Sequence, residues 1–158
     1  MKKIIKKIII LFIPIELYEH AKFEFRSKLG RILSRSLKLN STNANYINLG
    51  SGKSYVNNFI NVDFFGNKMI DYGMDLRFPF KIESNSIDGI FSEHTFEHLS
   101  HLEVDNALSE CCRILKPEAK IRIIVPDLSI LIERYCSSDD EWFQNWQDLV
   151  SVSYTHLT

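Results

Sequence analysis

The side chains best suited to chemistry fall between Tyr46 and Asp127. In YINLGSGKSYVNNFINVD (46–63) a short apolar run ends in Gly50-Ser51-Gly52, and a second run, Phe59-Ile60-Asn61-Val62, ends in Asp63. The pattern is a strand, a glycine turn, a short connection and a second strand tipped by a carboxylate. Glycines at such a turn let a ligand approach the backbone closely, and the acid can accept hydrogen bonds from both hydroxyls of a ribose. A nucleoside-containing ligand satisfies both features. Further along stand Asp75-Leu76, Ser92-Glu93-His94, Asp127 and the cluster His94-Thr95-Phe96-Glu97-His98.

Other chemistries compete for these groups. Gly52-Lys53-Ser54 looks like the tail of a phosphate-binding P-loop, but that motif needs a glycine where Ile47 stands and a long helix afterwards. Here the next strand pattern already begins at Phe59. A dinucleotide site of the G-x-G-x-x-G type would need glycine at Tyr55. His94-Thr95-Phe96-Glu97-His98 matches H-x-x-E-H, in which two histidines one helical turn apart hold zinc and the glutamate activates water. A zinc hydrolase would need a third ligand, and Glu103, Glu110 and Glu133 are available with no spacing that singles one out. No metal ligand is assigned on that basis.

The elements that must position these groups alternate. Tyr46–Leu49 and Ile60–Val62 read as strands, Met69–Met74 as a weaker one, and Ser86–Phe91 as a short buried strand. Ser100 and Glu103 form a capping box, followed by Val104, Ala107, Leu108, Cys111 and Leu115 at helical spacing. Lys116-Pro117 stops that helix, Ile121–Val125 is a β-branched strand, and a further helix begins near Leu128. Strands alternating with helices predict an α/β fold: a Rossmann-like, doubly wound, mostly parallel sheet with helices on both faces. In such sheets ligands bind beyond the carboxyl ends of the strands, where the turn and the acids fall.

The chain resembles class I methyltransferases dependent on S-adenosylmethionine from Tyr46 to about Tyr135, and most closely the methyltransferase-11-like branch. The resemblance is carried by INLGSGKSYVNNFINVDF, DLRFPF, SIDGIFSEHTFEHL and ALSECCRILKPEAKIRIIVPDL, in the family's order and spacing. It implies S-adenosylmethionine as cofactor. Gly50, Ser51 and Gly52 would then cradle its methionine end, Asp63 would hold the ribose, and Asp75 and Leu76 would border the adenine, with Phe64 nearby. Ser92, Glu93 and His94 would face the sulfonium and the acceptor. For a hydroxyl acceptor His94 is the first candidate base, since imidazole titrates near neutrality, followed by Glu93 and Asp127. Two departures stand out: Asn48 occupies the place of an acid that meets the cofactor's ammonium, and Pro117-Glu118-Ala119 replaces a Pro-Gly-Gly turn.

Residues 1–44 are expected to form a helical extension, 45–151 the cofactor domain, and 152–158 a non-native tail. The family's last two strands of seven are expected to be missing, leaving an aggregation-prone edge. Lys2, Lys3, Lys6 and Lys7 flank isoleucines, but the apolar run is short of the roughly 20 residues that span a bilayer. A helix packed on the domain competes with peripheral contact at an anionic membrane. With 158 residues, 45% hydrophobic, 25% charged and net charge −1, the chain suits one cored domain without nucleic acid as partner. Its three cysteines form no disulfide framework, which fits the cytoplasm. The resemblance places the enzyme among those that methylate a small-molecule or glycan acceptor, as in surface-polysaccharide biosynthesis. A nucleoside-binding module without chemistry is the competing expectation.

Overall fold

Short, β-branched apolar runs build the centre of the molecule. In the computed structural model, which describes residues 14–39, 44–65, 69–139 and 141–142, five strands form one sheet. They are β1 (Tyr46–Leu49), β2 (Ile60–Asp63), β3 (Tyr72–Gly73), β4 (Ile87–Glu93) and β5 (Leu115–Ile124), in the order β3-β2-β1-β4-β5. Every neighbouring pair is parallel. The α/β, Rossmann-like expectation is met: strand order runs outward in both directions from β1, which opens a crevice beyond the carboxyl ends of β1 and β4. Ile47, Leu49, Val62 and Ile87 are fully buried in the sheet, as strands covered on both faces require.

The described residues hold three α-helices: α1 (Ile15–Leu33), α2 (His101–Ile114) and α3 (Leu128–Cys136). The chain divides into two compact units, Ser27–Pro126 and another that takes in the described residues before Ser27 and after Pro126. The last turns of α1 therefore belong to the sheet unit. There Ser27 is fully buried, and Gly30 leaves room for Phe65, whose ring would lie 2.1 Å from an added Cβ. The Arg31 guanidinium stacks 3.4 Å from the centre of the Phe78 ring. Lys81 Nζ donates to the Arg31 and Ser34 carbonyls at 2.6 and 2.8 Å, satisfying the end of the helix. Among the described residues no helix is long and apolar enough to cross a membrane. The basic segment before Pro14, the linker 40–43, Phe143, Trp146 and the tail 152–158 lie outside the described residues.

Helix α2 starts where the capping box requires. The Glu103 carboxylate accepts from the Ser100 N–H at 2.8 Å and from its hydroxyl at 2.7 Å. The helix buries Ala107, Cys111 and Ile114. Burial pushes the Cys111 thiol up to about 12, while its neighbour Cys112 faces solvent; a helix cannot turn adjacent residues to the same side. Glu110 and Arg113 form a forked pair at 2.7–2.8 Å, and Arg113 also donates to the Phe80 and Ile82 carbonyls. That pair ties the loop ahead of β4 to the helix.

Two boundaries differ from expectation. The strand foreseen at Ile121–Val125 begins at Leu115, directly after α2. Its register runs Ile87↔Leu115 and then Gly89↔Lys120, so the residues around Pro117 bulge out. Glu118 sits there with φ +64, the left-handed conformation that glycine adopts more easily. The weak third strand shrinks to Tyr72–Gly73, although Asp71 N–H and Met74 N–H still bond to the Asn61 and Asp63 carbonyls at 2.8 Å.

The connection between β1 and β2 carries no helix, which is unusual for parallel neighbours. Buried amides knit it instead. Asn48 Nδ2 donates to the Ser54 carbonyl at 2.9 Å and to Asn61 Oδ1 at 3.0 Å. Asn61 Oδ1 also accepts from Val56 N–H at 2.9 Å, and its amide nitrogen reaches the Val56 and Phe59 carbonyls. Asp71 Oδ2 holds the Asn61 N–H at 2.8 Å. A half-satisfied network would be costly at such burial, and this one closes on itself.

Candidate cofactor-binding site

The tips of β1, β2 and β4 carry the glycine turn, Asp63 and the segment from Ser92 to His98. Gly50 and Gly52 adopt φ of +73° and +53°. The Gly50 and Ser51 N–H groups bond to the Val62 carbonyl at 2.8 and 3.0 Å, and the Gly52 N–H bonds to Asp63 Oδ2. The turn is thus laced to β2, with Asp63 Oδ1 accepting from the Phe64 N–H. Each carboxylate oxygen has a second lone pair for a ligand. The Ser51 hydroxyl is buried and takes no hydrogen bond. Leaving it so costs about 1–3 kcal/mol, which a polar ligand seated on the turn would recover.

β4 closes the other side of the turn. Ser92 is fully buried and its hydroxyl donates to the Leu49 carbonyl at 2.9 Å. The Thr95 hydroxyl lies 3.4 Å from the Leu49 and Gly50 carbonyls and 3.1 Å from that of Glu93. Thr95 also explains the glycine at position 50, where an added Cβ would stand 2.0 Å from its Oγ1. Nothing in the sequence pattern marks Thr95, because its role comes from contact across two strands.

His94 directly follows β4 in a left-handed conformation, φ +51, with its N–H bonded to the Ile124 carbonyl. Its Nδ1 is 3.1 Å from Glu97 Oε1. His98 lies in a short 3₁₀ turn, Phe96–His98, and the helix starts only at His101. The two histidines of HTFEH therefore do not share one α-helical face, which the zinc reading needs. Glu103 and Glu110, two of its would-be third ligands, are committed to the Ser100 cap and to Arg113. Among the described residues no three histidine, cysteine or acidic side chains group as a metal site.

Asp75 follows β3 and is buried. Arg77 grips it with Nε at 3.0 Å and Nη2 at 2.8 Å, Arg77 N–H adds 3.1 Å, and the Ser27 hydroxyl of α1 also donates. Burial works to raise its carboxyl, but the hydrogen bonds from Arg77 and Ser27 outweigh that and hold it below the usual range. The ionised form is thus favoured by folding. Stability from Asp75 is present above about pH 4, the unfolded value, and lost as pH falls through the lower folded value. Urea melts of Asp75→Asn should show about 1–3 kcal/mol less stability at pH 7 and a shallower decline on acidification than the native chain.

Beside Asp75 a cavity of about 220 Å³ is bordered by Arg31, Phe65, Met74 and Phe78. Leu76 is half-buried against the core. Phe64 and Phe65 meet edge to face at 5.8 Å, and Phe65 fills the space between Gly30 and Gly73. A larger cavity, about 650 Å³, is lined in part by Tyr72 and Gly73 of β3 and holds none of the candidate catalytic or cofactor-binding residues. The Asn48 amide is taken up by the β1–β2 connection. Asp127 belongs to the other compact unit, where it caps α3 by accepting from the Ser129 N–H at 2.9 Å and hydroxyl at 2.6 Å.

A parallel α/β sheet, a glycine turn with an orphaned hydroxyl and an acid at the tip of the next strand form a site of the shape and chemistry that suit a nucleoside ligand. Residues 60–123 match a family model described as a methyltransferase domain. That match begins at Ile60, so the glycine turn stands on its own geometry. No curated protein matches the chain.

Proposed function

We propose that the chain is an S-adenosylmethionine-dependent methyltransferase acting on a hydroxyl of a small-molecule or glycan-type acceptor, with His94 as general base. The observation that carries the proposal is the 3.1 Å contact between His94 Nδ1 and Glu97 Oε1. A carboxylate only accepts, so Nδ1 carries the proton and Nε2 is left as the acceptor. A base oriented by a carboxylate is the arrangement that strips protons from hydroxyl nucleophiles. The left-handed backbone at His94 is a local strain of the kind found at functional positions.

When bound, S-adenosylmethionine supplies a methyl group already activated by its sulfonium. The residues of the chain then bind, orient and take up one proton. Gly50-Ser51-Gly52 would support the methionine end, Asp63 the ribose, and Leu76 with the cavity beside Asp75 the adenine. Ser92 and Thr95 fix the tip of β4 against the turn, and that sets where His94 stands. The family resemblance supports a place in surface-polysaccharide assembly. The lysines at positions 2, 3, 6 and 7 support work on the cytoplasmic side, in contact with the inner face of the membrane.

Calorimetric titration of metal-free protein with S-adenosylhomocysteine tests the cofactor site: saturable binding is expected, and one retained equivalent of zinc in its place would refute the reading. For the base, nitrogen-15 multiple-bond spectra of neutral His94 should show the Nδ1–H tautomer. Glu97→Ala should shift it toward the Nε2–H form. An Nε2–H tautomer in the native chain would remove His94 from the role.

A further inference from the structure

The methionine end of the cofactor carries an ammonium group, and a charged acceptor holds an ammonium more strongly than a neutral one. Asn48 cannot supply that charge. Both hydrogens of its amide are used inside the β1–β2 connection, on the Ser54 carbonyl and Asn61 Oδ1, and the residue is only 3% exposed. Of the acids at the strand tips, Asp63 is engaged with the Gly52 and Phe64 N–H groups and Glu97 with His94. Glu93 is exposed, and its carboxylate has no hydrogen-bond or ion-pair partner among the described residues.

The register places Glu93 where the missing charge is needed. Asn48 pairs with Phe91 and Leu49 with Ser92. Paired residues share a face and alternate residues return to it, so Glu93 lies on the Asn48 face, one step beyond the tip of β1. The Thr95 hydroxyl spans the Glu93 and Gly50 carbonyls at 3.1 and 3.4 Å, which fixes this position against the glycine turn. We infer that Glu93 is the residue that binds the cofactor's ammonium group, in place of an acid at position 48. The inference rests on the cofactor site at the glycine turn and removes Glu93 from the candidate bases.

The test uses two probes, S-adenosylhomocysteine, which has the ammonium, and 5′-methylthioadenosine, which lacks the whole amino-acid portion. In calorimetric titrations of the full chain, Glu93→Gln should weaken S-adenosylhomocysteine about tenfold, the loss of one charge-assisted contact, and leave methylthioadenosine unchanged. Glu93→Lys should weaken the first further and again spare the second, and this selectivity separates a charge effect from misfolding. Equal weakening of both probes, or no change in either, would overturn the assignment. If the native chain binds neither, the cofactor site itself is refuted and the assignment with it.

Discussion

Replacing Gly50 with alanine should destabilise the protein by about 2–5 kcal/mol and abolish cofactor binding. Two independent costs add. A side chain in the left-handed region, where Gly50 sits at φ +73, costs about 1–2 kcal/mol. The new methyl would also stand 2.0 Å from Thr95 Oγ1 and 2.4 Å from its Cγ2, and overpacking of that kind costs about 1–3 kcal/mol. Thr95 cannot swing away freely, because its hydroxyl is held among three carbonyls at the tips of β1 and β4. Because the Thr95 Cβ would also stand 2.7 Å from the new methyl, urea denaturation of the single variant and of Gly50→Ala/Thr95→Gly, with Thr95→Gly alone as reference, separates the two terms. The double variant should recover the steric part and retain the backbone part. A single variant within about 0.5 kcal/mol of the native chain would show that the turn is not built this way.

Asp63→Ala should lower affinity for S-adenosylhomocysteine by at least about 100-fold. A hydrogen bond to a charged acceptor contributes about 1.5–3 kcal/mol, a ribose offers two hydroxyls, and each 1.4 kcal/mol is tenfold. Asp63 also holds the Gly52 N–H, so its loss frees the turn as well as removing the ribose partner. Asp63→Asn should fall between the two, since an amide oxygen still accepts one hydrogen bond without the charge. Both variants should keep a cooperative melt, because Asp63 lies at a strand tip and is only partly buried. Undiminished affinity in Asp63→Ala would place the ribose elsewhere and refute the site.

The parts of this protein that depend on neighbours along the chain are legible in the order of its amino acids. The apolar runs of β1, β2 and β4 declare themselves by composition, and Ser100 with Glu103 marks the start of α2 because a capping box is complete within one turn. Asp127 before Leu128 marks the start of α3 in the same way. The glycine turn and the acid at the end of β2 are local too, and they are enough to point to a nucleoside.

Other features need distant residues to meet. Asn48 reads as a neutral substitute for an acid until Asn61 and Ser54 take up its amide. Asp75 reads as an open carboxylate until Ser27, from a helix far earlier in the chain, and Arg77 close on it. The histidines of HTFEH suggest a metal because their spacing is that of one helical turn, whereas His94 stands just past the end of β4 and His98 in a 3₁₀ turn. Cys111 and Cys112 look alike in the sequence and part in the fold, one buried and one exposed.

Amino-acid order was therefore enough for the strand–turn–strand signal, the helix caps and the class of ligand, because each arises from contacts within a few residues. Which polar groups remain available at the site was settled by tertiary packing. Hydrogen-bond capacity is used up pairwise, and the partners of Asn48, Asp75 and His94 are chosen only when the strands and α1 come together.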